Sequence, residues 1–333
     1  MIVSLAQTES LLLDDVALSP PVALAPLAGI TDLPYRQLVA SFGAGWVVSE
    51  MVASQEMVQA KPGVRERAEL GYDQDATAVQ IAGREAYWMA EAARMIEANG
   101  AAFIDINMGC PAKKVTNGYS GSALLRTPDH ALTLIEAVVN AVDIPVTLKT
   151  RLGWDDDCLN AADVAKRAED AGIKLVTIHG RTRCQFYKGS ADWAAIRAIK
   201  EAVSIPVIAN GDIVDTATAR EALRLSGADG VMIGRGSQGR PWVLAQVAAA
   251  LHGTPQPDIP QGADLVDMVC GHYEAMLSFY GIEMGRKVSR KHLGWYMDEA
   301  GTGPALRKAI LTHAMPSDVL RDLPDALDMK VAA

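Results

Sequence analysis

The chain has 333 residues, 50% of them hydrophobic and 21% charged, a balance that excludes a disordered chain and supplies a large core. No run of eighteen apolar residues occurs, and MIVSLAQTESLLLDD lacks the features of a secretory signal, so no membrane span is expected and a cytoplasmic location is. A net charge of −9 argues against general polyanion binding and leaves only a local basic patch for nucleic acid.

Residues 1–19 form an N-terminal extension with no usable motif. Eight β-branched or apolar runs follow in chain order: VALAPLAG from Val22, WVVSEMV from Trp46, TAVQIAG from Thr77, FIDINMG from Phe103, PVTLKTR from Pro145, LVTIHGR from Leu175, PVIANGD from Pro206 and GVMIGRG from Gly230. Segments with helical spacing separate them. In AYWMAEAARMIEANG, for instance, Met89, Ala93 and Ile96 make an i, i+4, i+7 stripe and Gly100 supplies the stop.

Eight such units between residues 20 and 250 fit a (β/α)₈ TIM barrel, which takes about 250 residues, better than a doubly wound sheet. A polar residue stands at nearly every predicted strand end: Glu50, Gln80, Asn107, Lys149, His179, Asn210 and Arg235. Barrels build their sites at that end. One such residue is an ordinary loop residue; a series at the same point of the repeat predicts a site.

Beyond Arg240 the loop HGTPQPDIPQG leads into helices expected at about 262–281, 284–300, 303–313 and 317–323, a small all-helical C-terminal domain spanning 262–325. In GRKVSRKHLGWY, Arg286 and Arg290, like Lys287 and Lys291, stand four apart and predict a basic helix side, with His292, Trp295 and Tyr296 beside it. Such a run is commonly a solvated face; RNA is the functional alternative.

The loops after the last two predicted strands read NGDI from Asn210 and GRGSQGRP from Gly234. Glycines there admit a phosphate to backbone N–H groups, or merely make tight turns. The literal G-x-G-x-x-G at Gly234, Gly236 and Gly239 is not a Rossmann fingerprint, because only helices follow it. Lys149 on a central strand suits a Schiff base or a positive charge beside an anionic ring such as reduced flavin.

Four cysteines, Cys110, Cys158, Cys184 and Cys270, lie far apart without a C-x-x-C pair, so neither a disulfide framework nor a metal site is expected. Cys110 differs from the others because Gly109 and Pro111 place it in a loop directly after a strand.

The runs APLAGITDLPYR, NMGCPAKKV, LKTRLGW, TIHGRTRCQFYKGSADW, NGDI and GRGSQGRPW, in that order and ahead of a helical tail, resemble the tRNA-dihydrouridine synthases. RKHLGWY from Arg290 is similar to the bacterial B-type branch. The resemblance implies an FMN-binding barrel over 20–250 and a tRNA-binding helical domain, with NADPH as reductant and tRNA as partner; a monomer is expected, although the sequence itself is silent on oligomeric state. It implies FMN contacts at Pro26, Leu27, Ala28, Gln80, Lys149, His179, Asn210, Gly211, Asp212, Gly234 and Arg235. It makes Cys110 the proton donor and places Asn107 and Tyr187 near the target uracil. Lys113 and Lys114, with the basic residues Arg286, Lys287, Arg290 and Lys291, are then phosphate neighbours. After AKKV the chain continues Thr116-Asn117-Gly118-Tyr119, where many B-type members carry a further basic pair.

The chemistry suits these residues. Hydride added at uracil C6 leaves negative character at C5, conjugated to the C4 carbonyl. A thiol with a pKa near 8.5 is protonated at neutral pH and donates to such a carbon. A nucleophilic cysteine would need a histidine partner, and His179 is the one candidate at a strand end. Two alternatives compete: a small-molecule flavin reductase of the dihydropyrimidine dehydrogenase type, and a non-catalytic RNA-binding protein on an old barrel.

Overall fold

The computed structural model describes residues 10–61, 63, 65–70 and 77–327. A short antiparallel hairpin, β1 (Leu11–Leu13) and β2 (Val16–Leu18), precedes the barrel. Eight parallel strands then alternate with helices: β3 (Val22–Leu24), β4 (Trp46–Val48), β6 (Thr77–Ala82), β7 (Phe103–Met108), β8 (Val146–Arg151), β9 (Val176–His179), β10 (Val207–Asn210) and β11 (Gly230–Ile233). Each is hydrogen-bonded to its neighbours, and β4 pairs with both β3 and β6 to close the ring. The two-residue β5 (Val52–Ala53) extends the pairing along β6. All eight predicted strands are present.

The outer layer comprises α1 (Leu33–Ser41), α2 (Ser54–Val58), α3 (Ala86–Ala98), α4 (Lys113–Thr116), α5 (Pro128–Val139), α6 (Ala161–Asp170), α7 (Arg197–Ala202), α8 (Thr216–Ser226) and α9 (Val243–His252). On α3 the predicted stripe Met89, Ala93 and Ile96 is buried against the sheet, and Gly100 follows with φ 87°. Successive strand residues point to opposite faces. Outward ones such as Val79, Ile81, Ile104, Ile106 and Leu148 join the helix stripes in the main core.

The inward residues change character along the axis. At the N-terminal end Trp46, Ala78, Phe103, Leu175, Ile208 and Met232 fill the lumen. Higher up the inner face is polar and still buried: Gln80, Asp105, Asn107, Thr147, Lys149, Thr177, His179 and Asn210. Polar groups in a barrel lumen must pair with one another or with a ligand, so this half of the lumen is the site.

Residues 10–19, which carry no usable motif, have a structural place in the fold. Leu13 and Leu18 are fully buried and plug the bottom of the barrel against Trp46 and Phe103. The hairpin escapes a periodicity reading because each strand has three residues. Leu18→Ala is expected to lower stability by about 2–5 kcal/mol through the cavity it leaves, read by urea denaturation.

The C-terminal helices are α10 (Ala263–Tyr280), α11 (Ile282–Glu299), α12 (Pro304–Thr312) and α13 (Pro316–Leu327). They share a core of Val269, Tyr273, Leu293, Met297, Ile310 and Leu323. α13 runs four residues past the expected end and carries Pro324 inside it, because Leu323, Ala326 and Leu327 bury into that core. No helix among the described residues is long and apolar enough to cross a membrane.

Candidate active site

A cavity of about 820 Å³ opens at the C-terminal end of the strands, within the ≈ 300–1,000 Å³ usual for small-molecule sites. Every barrel residue proposed for cofactor or base lines it: Pro26, Leu27, Ala28, Gln80, Asn107, Cys110, Lys149, His179, Tyr187, Asn210, Gly211, Asp212, Gly234 and Arg235.

Strand register builds the floor. Gln80 lies opposite Asp105, Asn107 opposite Lys149, and Asn210 opposite His179. Gln80 Nε2 donates to Asp105 Oδ2 (2.7 Å), and Asn107 Nδ2 donates to Gln80 Oε1 (2.7 Å). Thr147 donates to the other carboxylate oxygen of Asp105 at 2.7 Å. Asp105, unremarked in the sequence, thereby orients both amides. Burial pushes its carboxyl above the ordinary range.

Lys149 is the buried cation of the floor. Asn210 Oδ1 at 2.9 Å is its one acceptor among the described residues, although an ammonium carries three donors. Burial lowers its pKa to about 8, with Asp105 acting in the opposite direction and Arg151 adding to the fall. His179 is driven well below its ordinary value by burial and then by Arg151, Lys149, Arg181 and Arg235. Arg181 Nη1 lies 3.2 Å from His179 Nε2; guanidinium only donates, so the imidazole is neutral with that nitrogen accepting. His179 is thus engaged elsewhere and is no base for Cys110.

Four basic residues (Lys149, Arg151, Arg235 and Arg240) and three acidic ones (Asp212, Asp298 and Glu299) line this cavity. Arg181 is spent on the protein itself, donating to Lys188 O, Gly189 O and both carboxylate oxygens of Asp212. Asp212 also accepts from Arg235 at 3.0 Å and from the Ala191 N–H at 2.8 Å. Burial opposes its charge, yet these partners hold its carboxyl below the ordinary value. Asp212 therefore offers a ligand its backbone, not its side chain. Among the described residues the N–H groups of Asp212, Ile213, Arg235 and Gly236 have no protein acceptor. The glycines here are required by close packing: a Cβ on Gly211 (φ 110°) would stand 2.8 Å from the His179 ring, and one on Gly236 2.7 Å from Ile213 O. Unpaired donors on the Lys149 ammonium and free N–H groups on the two loops fit a planar anionic cofactor with a phosphate.

Cys110 is a free, half-buried thiol on the cavity wall. Asn107 Oδ1 accepts from its backbone N–H at 2.9 Å, while Ser122 donates to its carbonyl through N–H (3.1 Å) and hydroxyl (2.9 Å). Gly121 has φ 60°, and a Cβ there would lie 2.9 Å from Cys110 O and 2.8 Å from Val115 Cγ1. If the chain is the flavin enzyme that its sequence resembles, Gly121→Ala is expected to displace the loop and reduce turnover about tenfold or more without loss of flavin; steady-state kinetics beside a flavin spectrum checks it.

Arg151 is a wall residue whose role the sequence left unassigned. It donates to Gly109 O (2.7 Å), Thr182 O (3.0 Å) and Phe186 O (2.9 Å), tying the loop of Cys110 to that of Tyr187. The Tyr187 ring stands 5.6 Å from the Arg151 guanidinium and 5.0 Å from that of Arg235, half-exposed over the cavity.

Outside the cavity, Lys113 and Lys114 are exposed on α4. On α11, Lys287, Arg290 and Lys291 are exposed, whereas Arg286 is drawn into the fold by a 2.7 Å hydrogen bond to His313 O. The expected group of four basic side chains is therefore three. His292 and Tyr296 are buried rather than available for stacking: His292 packs 4.7 Å from Tyr35, and Tyr296 pairs with His272 Nδ1 at 3.0 Å.

Residues 23–330 match the family model described as dihydrouridine synthase. The chain belongs to the dihydrouridine synthase family. It is 60% identical to a probable tRNA-dihydrouridine synthase of Rhodobacter capsulatus over 96% of this chain and 99% of that protein. It is 47% identical to tRNA-dihydrouridine synthase B of Vibrio cholerae, over 86% of this chain and 88% of the relative, in keeping with the B-type motifs. Two solved structures share the barrel. Histamine dehydrogenase from Rhizobium sp. 4-9 has a TM-score of 0.56 at 14% identity, covering 80% of this chain and 50% of that one. 2-Naphthoyl-CoA reductase has a TM-score of 0.57 at 15% identity, covering 72% and 51%. This chain spans about half the length of each, and at such identity the likeness concerns the fold.

Proposed function

We propose that this dihydrouridine synthase family member reduces the C5=C6 bond of selected uridines in tRNA, holding FMN in the barrel and using NADPH as reductant. Bound in the cavity, the flavin supplies the hydride that adds at uracil C6. Lys149 would sit against its anionic ring, and the N–H groups of Asp212, Ile213, Arg235 and Gly236 would receive its phosphate. Asn107, held by Gln80, orients the base beside Tyr187. Cys110 delivers the proton to C5, and its thiolate is restored by solvent. The observation that carries this reading is the thiol of Cys110 on the wall of a cavity whose floor presents the under-paired ammonium of Lys149.

Three exposed cations on α11 and two on α4 give an acidic chain local basic surfaces for RNA. On this reading residues 20–250 hold the flavin and 262–325 help hold tRNA, in a cytoplasmic monomer. The target base must leave its stack to reach the cavity. Purified protein is expected to be yellow and to oxidise NADPH when given tRNA transcribed without modifications. Turnover of free uracil or uridine but not tRNA would favour a small-molecule reductase instead, and protein that stays colourless after FMN is added would sink both enzyme readings.

A further inference from the structure

We infer that α11 is a wall of the cofactor site, so that docking of the C-terminal helices sets how tightly the flavin is held. The inference rests on the flavin reading above and assigns α11 a second task besides meeting RNA.

Four contacts tie α11 to the loops around the cavity. Trp295 and Glu299 line the cavity themselves. Gly239, late in the loop after β11, has φ 73° and approaches α11 so closely that a Cβ would stand 2.7 Å from Trp295 O and 2.8 Å from Glu299 Cγ. Arg240 joins the helix to both candidate phosphate loops. Its Nε lies 3.7 Å from Glu299 Oε1, and its Nη2 donates to Val214 O (3.3 Å) after β10 and to Gly236 O (3.4 Å) after β11.

A second route runs through the core of the interface. His292 packs on Tyr35, whose hydroxyl donates to Ser237 O at 2.6 Å, and Ser237 Oγ donates to Gly234 O at 2.8 Å. A third reaches the loop after β3, which carries Pro26 to Ala28. Lys291 Nζ lies 3.5 Å from Gly29 O, while the Gly29 N–H is held from the other side by Glu50.

Lys291, Trp295 and Glu299 are spaced i, i+4, i+8, so one row of the helix faces these loops. Arg290 stands off that row and is exposed. A shift of α11 would disturb the phosphate loops and the Pro26–Ala28 loop together. Flavin binding and helix docking are therefore linked, and by reciprocity a bound flavin holds the helices in place.

The full-length protein, purified with its flavin, is diluted in steps and the fluorescence of released FMN gives its dissociation constant. Trp295→Ala and Gly239→Ala are expected to raise that constant roughly tenfold or more, and Glu299→Gln roughly threefold. Arg290→Ala should leave it within about twofold. Circular dichroism and melting confirm that each variant folds; should Gly239→Ala fail to fold, Trp295→Ala and Glu299→Gln decide. Folded variants of both that hold FMN as tightly as wild type would overturn the inference while leaving the yellow wild type and its proposed function untouched. A wild type that binds no FMN would instead strike the functional reading itself.

Discussion

Cys110→Ala is expected to keep its flavin and its reduction by NADPH while losing roughly 10²–10⁴-fold in product formation, the usual worth of a positioned general acid. The structure gives three reasons. The thiol is on the wall of the cavity, its backbone is held by Asn107 and Ser122, and the one histidine at a strand end already accepts from Arg181. A cysteine without a histidine base is suited to give a proton, not to attack. Rapid mixing separates the half-reactions: flavin bleaching by NADPH should be unchanged, and reoxidation by tRNA should be slow. Unchanged reoxidation would refute the acid role.

Lys149→Met is expected to lose roughly 10²-fold or more in turnover, because a fixed cation facing developing negative charge acts at full strength in a buried site. Its removal also has a signature in stability without flavin. Lys149 falls from 10.5 to about 8 on folding, so the folded chain binds this proton less tightly than the unfolded one. Between those values the unfolded state carries more protons, and stability rises with pH. Below pH 8 the whole cost is present, on the order of 3 kcal/mol. Flavin-free wild type should therefore gain stability from about pH 8 to 10 relative to Lys149→Met, measured by denaturant titration at each pH. Parallel profiles for the two proteins would show that Lys149 carries no such burden.

Much of the architecture is legible in the sequence because the barrel repeats one physical pattern eight times. Each strand alternates an outward residue for the helices with an inward one for the lumen, as in β6, where Val79 and Ile81 join the main core and Gln80 faces the cavity. The polar ends that stand out in the sequence are the residues for which burial in a lumen demands a partner.

What escaped the sequence depends on contacts between distant segments. Leu13 and Leu18 read as an unremarkable leader until the barrel floor exists for them to plug. Asp105 is hidden in an apolar run, and its value appears only when Gln80 arrives beside it. Arg286 has the same spacing as its basic neighbours, yet His313, 27 residues on, claims it. Trp295 reads as a neighbour of a basic helix side and Glu299 draws no notice, and only the docking of α11 turns them toward the cavity. Spacing along one helix reports its faces, not what each face meets.

The most direct measurement is mass spectrometry of tRNA transcript incubated with the protein and NADPH in deuterated water. Wild type should add two hydrogens to defined uridines, one of them a solvent deuterium at C5, and Cys110→Ala should add almost none. A transcript that emerges unchanged from yellow, NADPH-reducible wild-type protein would contradict the account.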